Sequence, residues 1–281
     1  MRTRMLGRAA LDESAVRRDL DLAGSFRYSD AYSDYLCGGP WRSCMLWAPG
    51  GDAGDGLVTN YDHDLPSGLT RYGDQLTYLA AVTERLFDLD HLNFARLAVI
   101  SNSVIIPHRD LLELDEIPGS RRNAHRIHIP LKTDDQCFFA EDNLVFRMGF
   151  GEVWALDASR EHSAASFSSR SRIHLVLDFT DVPDPASLVR LPADQGSDPP
   201  EHARPPLDDG ERDALLALAE VIDRDNCRDV LAIVVKAHFR RDGGAGFVWT
   251  TMREIARRSG DPAVVGLVRQ LHDHFLIERT A

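Results

Sequence analysis

The sequence predicts an α+β protein with a β-sandwich or barrel at its centre, helices flanking it, and a small helical region towards the C-terminal end. Three observations predict this. Between about residues 92 and 180, short apolar or alternating runs recur with turn signals between them, which is the texture of closely spaced strands. A stretch rich in Pro, Asp, Gly and Ser follows over 181–209 and reads as a linker or a surface crossing. Apolar residues then return at helical spacing. The expected division is a strand-rich domain over 1–190 and a helical one over 205–281.

The elements follow in chain order. Asp12-Glu13-Ser14 opens a helix that runs to about Leu22, because Asp and Ser side chains satisfy the free amides of a first turn. Residues 25–60 are aromatic and turn-rich. Within them Cys44-Met45-Leu46-Trp47 reads as a buried strand before a Gly/Asp loop at 49–56. Over 73–90, Leu76, Leu79, Ala80, Val82, Leu86 and Phe87 lie at helical spacing. Strands are expected at 94–100, 103–107, 125–131, 143–148, 152–156 and 173–179. Helices are expected at 210–240 and 247–276, the first with Leu215, Leu218, Ala219 and Ile222 on one side, the second with Val248, Met252, Ile255 and Ala256.

Composition narrows the function. Of 281 residues, 43% are hydrophobic and 27% charged, as in a folded globular chain. The formal net charge of −12 argues against nucleic acid and against an anionic membrane surface, both of which need a basic footprint. A small anionic ligand would therefore need a local cluster of arginines. The four cysteines, Cys37, Cys44, Cys137 and Cys227, form no C-x-x-C pair and match no zinc spacing, so they read as ordinary thiols in a reducing cytoplasm. The basic N-terminus lacks an apolar run long enough for a signal peptide, and no stretch approaches the roughly 20 apolar residues of a membrane helix. A cytoplasmic location without membrane contact is the expectation.

The chemistry centres on Pro107-His108-Arg109-Asp110, with His162 downstream and Arg172 beyond it. In an extended strand, residues i and i+2 point to the same side, so His108 and Asp110 can reach one metal. His162 would complete a two-histidine, one-carboxylate facial triad, which leaves coordination positions open for cosubstrate and O2. An H-x-D pair alone is common by chance. Three features strengthen it. Arg172 opens an apolar strand, where a buried charge needs a carboxylate partner; the alternative is a surface arginine at a strand edge. Over 125–131, Arg126 and His128 alternate with Ile127 and Ile129, which suits a polar barrel interior; the alternative is a solvent-facing stripe. Gly151 precedes a strand that leads towards His162.

The stretches Ile105-Ile106-Pro107-His108-Arg109-Asp110, Arg126-Ile127-His128, Gly151-Glu152-Val153-Trp154-Ala155-Leu156-Asp157, His162-Ser163-Ala164 and Arg172-Ile173-His174-Leu175-Val176 together resemble the bacterial proline cis-hydroxylases. These form a branch of the aspartyl/asparaginyl β-hydroxylase-like oxygenases. The resemblance extends to Tyr32-Ser33-Asp34-Tyr35 and to the helical tail ending in Phe275-Leu276-Ile277. It implies a double-stranded β-helix (jelly-roll, cupin-like) core and Fe(II) held by His108, Asp110 and His162. It further implies 2-oxoglutarate gripped by Arg172 with Arg126 and His128 nearby, O2 as co-reactant, and hydroxylation of a free cyclic L-amino acid such as proline or pipecolate, giving succinate and CO2. No general base or nucleophile is required beyond the metal centre. Gly38-Gly39-Pro40 and the loop 115–123 look longer than the family's and flank the expected pocket, so a larger ring or a linear amino acid also fits.

The substrate contacts expected are Arg96 for the carboxylate, Trp41 and Tyr35 as walls for an apolar ring, and Glu113 for the ammonium. Each has a plainer alternative: a surface position for Arg96, core packing for Trp41 and Tyr35, and orientation of a neighbouring arginine for Glu113. Three rivals to the functional reading remain at this point. They are a peptidyl Asp/Asn-type hydroxylase, a non-enzymatic cupin-like metal or small-molecule binder, and a zinc hydrolase on the same ligands. Oligomeric state is not written in the sequence.

Overall fold

Side-chain alternation along the strands decides how the layers stack. In β11 (Arg172–Phe179), Leu175, Leu177 and Phe179 are fully buried against helices on one face, while Arg172, His174, Val176 and Asp178 face the opposite way. In β6 (His125–Lys132), Ile127 and Ile129 join the helical side, and Arg126 and His128 turn inward. Such a strand separates an apolar layer from a polar interior because its period is two. The computed structural model describes residues 2–37, 41–110, 125–180, 184–191 and 201–276.

Eleven strands form two antiparallel sheets among these residues. Besides β6 and β11, the larger sheet contains β1 (Arg4–Arg8), β2 (Arg42–Pro49), β3 (Ser67–Leu69), β4 (Leu92–Ile100) and β9 (Glu152–Leu156). Its order is β1-β9-β6-β11-β4-β2-β3. The smaller sheet contains β5 (Ser103–Val104), β7 (Cys137–Glu141), β8 (Leu144–Phe146) and β10 (His162–Ser166), in the order β5-β10-β7-β8. The inner faces share one apolar cluster, with Phe94, Ile100, Trp154 and Leu156 from the larger sheet and Phe139, Phe146 and Ala164 from the smaller. This is the jelly-roll, or double-stranded β-helix, core that the resemblance implies. The outer face of the larger sheet is covered by α1 (Glu13–Ala23) and α2 (Thr77–Leu86) through a second cluster that includes Val16, Leu46, Leu79, Leu97 and Leu175.

The expected strands at 94–100, 125–131, 152–156 and 173–179 are present within a residue or two. Two are shorter than expected: β5 stops at Val104, and β8 covers only Leu144–Phe146. Strands β1, β3 and β7 were not anticipated; their few residues carry too little pattern to stand out. The expected helix at 73–90 is confined to Thr77–Leu86.

The helical region also breaks more often than its periodicity suggests. It contains α3 (Asp209–Leu216), α4 (Cys227–Arg240), α5 (Phe247–Ser259) and α6 (Pro262–Leu276). The stretch 210–240 is interrupted where Asp223 accepts the backbone amides of Asp225 and Asn226 and Asn226 donates to the Val221 carbonyl. Such local side-chain bonds compete with helix continuation. The stretch 247–276 is cut at Gly260, whose φ of 68° is left-handed, and Pro262 starts the next helix. No described helix is long and apolar enough to cross a membrane. The four cysteines are free, three of them buried.

The two covering helices are tied together at an end. The buried Asp19 of α1 accepts the Leu79 amide at 2.9 Å, in the first turn of α2, whose own N-cap residue Leu76 offers no side-chain acceptor. Asp19 thus acts as a cap supplied from another helix. Replacing Asp19 by Ala is expected to cost about 1–2 kcal/mol, read as a lower denaturation midpoint in urea. An unchanged midpoint would rule this cap out.

Candidate metal centre and active-site cavity

The geometry begins with a break in regular pairing. Val104 faces Ala165 in the β5–β10 ladder, yet His108 faces His162. Four steps on one chain therefore match three on the other, which makes a β-bulge. Its cause is local. Pro107 has no amide hydrogen to give, and the Ile106 amide turns away to the Tyr35 carbonyl at 2.7 Å. Beyond the bulge, His108 and His162 exchange both backbone hydrogen bonds, at 3.0 and 2.9 Å. The Asp110 amide continues the pairing to the Ala158 carbonyl at 2.9 Å. This reciprocal pair brings His162 back beside the H-x-D segment.

The side chains converge. The His108 and His162 ring centroids are 4.2 Å apart. Asp110 Oδ1 lies 3.4 Å from His108 Nε2, and Asp110 Oδ2 lies 3.8 Å from His162 Nε2. All three are buried, and their ligand atoms lie within 4.8 Å of one another. In each imidazole the other nitrogen is engaged: His108 Nδ1 with the Ile106 carbonyl at 2.7 Å and His162 Nδ1 with the Arg160 carbonyl at 2.9 Å. A carbonyl can only accept, so each Nδ1 carries the hydrogen and each Nε2 presents a lone pair.

The electrostatics favour the same state. Burial, helped by the charge of His162, drives the His108 imidazole down to about 3 from an ordinary 6.5. For Asp110, burial works upward but is outweighed by Arg126 and the two histidines, which hold its carboxyl well below the usual carboxylate range. At neutral pH the cluster thus offers a neutral imidazole and a carboxylate, the protonation states a divalent cation needs. The donor set fits iron(II), with two nitrogens and one oxygen on one side.

Next to this cluster lies a cleft whose lining comes from both sheets. Its walls include Trp41, Arg96, Arg126, His128, Arg172 and Phe139. Arg172 is buried, not a surface residue, and its Nη2 has no partner among the described residues. Burial lowers its guanidinium to about 10, still charged at neutral pH. Arg96 is buried as well; it meets Asp178 at 3.3 Å and lies over the Tyr32 ring, while its Nε and Nη1 have no partner among the described residues. Arg126 reaches both Asp110 and Asp178, the latter at 2.6 Å.

Tyr35 stands one layer back. Its ring meets His108 edge-on at 4.7 Å, Trp41 at 6.0 Å and Phe275 at 5.5 Å. It supports the cluster from behind while Trp41 faces the cleft. Phe275 brings the end of α6 to the same place, and its carbonyl accepts the Arg109 amide at 3.0 Å, between the two residues of the H-x-D pair. Glu113 and the loops 38–40 and 115–123 lie outside the described residues, as does Ile277. Two polar residues that contact the cleft's lining escaped the sequence reading. Asp178 joins Arg96 to Arg126, and His174 contacts His128. Their signal was present, since Arg172, His174 and Asp178 occupy every second position but one of β11.

Comparison with known proteins places this site. The family model for aspartyl/asparaginyl β-hydroxylase matches residues 12–181. The chain belongs to the aspartyl/asparaginyl β-hydroxylase family. A second model, for the C-terminal part of L-proline 3-hydroxylase, matches this hydroxylase over residues 189–281. It is similar to L-proline cis-4-hydroxylase from Rhizobium meliloti, with 33% identity over 285 residues, covering 99% of this chain and 97% of the relative. It is also similar to L-proline cis-3-hydroxylase 2 from Streptomyces sp, with 31% identity covering 100% and 97%, and to L-proline cis-3-hydroxylase 1, with 29% identity covering 97% and 94%. Membership makes this hydroxylase a dioxygenase that works with Fe(II), 2-oxoglutarate and O2, the cofactor set that the resemblance implies.

The buried histidines make stability depend on pH. Between the ordinary histidine value of 6.5 and about 3 for folded His108, the unfolded chain takes up a proton that the folded one does not. Stability is therefore full above this window and lost as pH falls through it. His128 and His174, held far below their ordinary value by burial and by Arg172, act in the same direction. The melting temperature of metal-free protein should fall steadily from about pH 7 to about pH 5, and His108→Gln should flatten the slope. A flat profile in the unmutated protein contradicts this assignment.

Proposed function

We propose that this enzyme hydroxylates a free cyclic L-amino acid of the proline or pipecolate type, with 2-oxoglutarate converted to succinate and CO2. The observation that carries the reading is a buried, cation-rich cleft set against the His108–Asp110–His162 cluster. Three guanidiniums, Arg96, Arg126 and Arg172, face the cleft. Among the described residues Asp178 meets Arg96 and Arg126, Asp110 meets Arg126, and no carboxylate meets Arg172. Buried charge of one sign without its counterpart is costly, so the cleft is suited to anionic ligands. The full-length similarity to L-proline cis-4- and cis-3-hydroxylases supports a small cyclic amino acid as substrate.

In this reading His108, Asp110 and His162 hold the iron, which when bound supplies the activation of O2. Arg172 anchors the distal carboxylate of 2-oxoglutarate with a planar fork of donors, and His128 contributes a further donor. Arg126 holds Asp110 by its second oxygen and so orients the carboxylate. Arg96 takes the substrate carboxylate, and Trp41 covers the ring. Leu156, Ala164 and Val176 give the cleft apolar walls that help exclude water. The split of the chain into a jelly-roll unit over 1–190 and a helical unit over 205–281 belongs to the same proposal, supported by the two family matches.

The test is reconstitution with Fe(II) and 2-oxoglutarate under anaerobic conditions, then exposure to O2 with a panel of free L-amino acids that includes proline and pipecolate. Succinate and product mass are followed. A product heavier by one oxygen atom, lost in His162→Ala, is the expected result. Arg172→Leu should raise the KM for 2-oxoglutarate about 10–100-fold, the worth of a charge-assisted pair. Turnover only with Asp- or Asn-containing peptides would replace the free amino acid by a peptidyl substrate. Metal binding with no succinate from any substrate would leave a non-enzymatic binder.

A further inference from the structure

One buried group, His174, has no part in the proposed chemistry as it stands, although it meets His128. His174 on β11 and His128 on β6 lie on the inner face of the larger sheet, one register step apart, since His174 pairs with Pro130 and Val176 with His128. Their rings meet edge to face, with centroids 5.5 Å apart at 87°, and their Nδ1 atoms are 3.4 Å apart. His174 is only 1% exposed. The Nε2 atoms of both rings are buried without a partner among the described residues.

Two imidazoles that meet Nδ1 to Nδ1 must differ, because one nitrogen has to donate and the other accept. Both rings are held neutral by burial and by the charge of Arg172, so each has a single N–H to place. If His174 donates from Nδ1, the hydrogen of His128 moves to its Nε2. If His128 donates, its Nε2 is left as a bare lone pair. Only the first arrangement gives a donor at His128 Nε2, and an anion in a cleft shared with Arg172 requires donors. It also leaves His174 Nε2 as a lone pair in the field of the Arg172 guanidinium, the favourable sign.

We propose that His174 is a positioning residue: its Nδ1–H donates to His128 Nδ1 and fixes His128 as the Nε2–H tautomer that donates to the bound 2-oxoglutarate. The inference rests on the reading of Arg172 and His128 as the cosubstrate cradle. No proton is transferred in turnover; His174 sets which nitrogen of its neighbour carries one.

The experiment compares His174→Asn, which keeps an N–H donor near the Nδ1 position, with His174→Leu, which fills the space without one. The affinity of Mn(II)-loaded protein for 2-oxoglutarate is measured by calorimetry, and the histidine tautomers are read from nitrogen chemical shifts. In the unmutated protein with 2-oxoglutarate, His128 should show the Nε2–H form. His174→Leu should weaken 2-oxoglutarate roughly tenfold, the worth of one misplaced hydrogen bond to a charged group, and raise its KM by more than it lowers kcat. His174→Asn should stay within about twofold. Equal losses in both variants point to packing alone and overturn the proposal, as does unchanged affinity in His174→Leu. Arg172→Leu is run in parallel. If it too leaves 2-oxoglutarate binding intact, the cradle reading itself has failed; if it weakens binding while His174→Leu does not, only the role of His174 is lost.

Discussion

The interior of this jelly roll is charged, and charge taken out of water has to be paired. That constraint organises the site. Arg96, Asp178, Arg126 and Asp110 form a continuous chain of opposite charges, reaching from the third strand in from one edge of the larger sheet to the H-x-D segment. Asp110 is the end that borders the histidine pair, so the orientation of its carboxylate is fixed by a network anchored on β4, β6 and β11. Arg172 lies outside the chain, and its Nη2 has no partner among the described residues.

The second constraint is in the backbone. The ladder between β5 and β10 would place His108 and His162 out of register by one residue, and the bulge at Pro107 corrects it. A one-residue slip turns every following side chain to the other face. The proline thus does more than end a strand. It brings His108 opposite His162 and, two residues on, Asp110 to the same side.

The helical unit takes part in this site as well as packing beside it. The carbonyl of Phe275 holds the Arg109 amide, and its ring backs Tyr35, which backs His108. Arg204 ties the same unit to the jelly roll by donating to the carbonyls of Asn143, His238 and Arg241. A single guanidinium thus caps the end of α4 and grips the β7–β8 turn.

Much of the site was legible before the fold. His108-x-Asp110, Arg172 at a strand start and the alternation of Arg126 and His128 depend only on short-range periodicity, which a chain carries in its local order. The strand-rich centre and the helical end were determined in the same way. What the sequence left open needed contacts between distant residues. Asp178 and His174 share a strand face with Arg172, but the groups they meet are fixed only when β6 and β4 pair on either side of the strand. Tyr35 reads as a candidate wall, and only tertiary packing sets its ring against His108, Trp41 and Phe275. The helices at 210–240 and 247–276 kept their periodicity through breaks that hydrogen bonds of Asp223 and Asn226, and a left-handed Gly260, impose. Sequence alone determined which chemical groups are available and on which face of a strand they fall; tertiary structure decided which of them meet, because pairing energies depend on distances that no local pattern encodes.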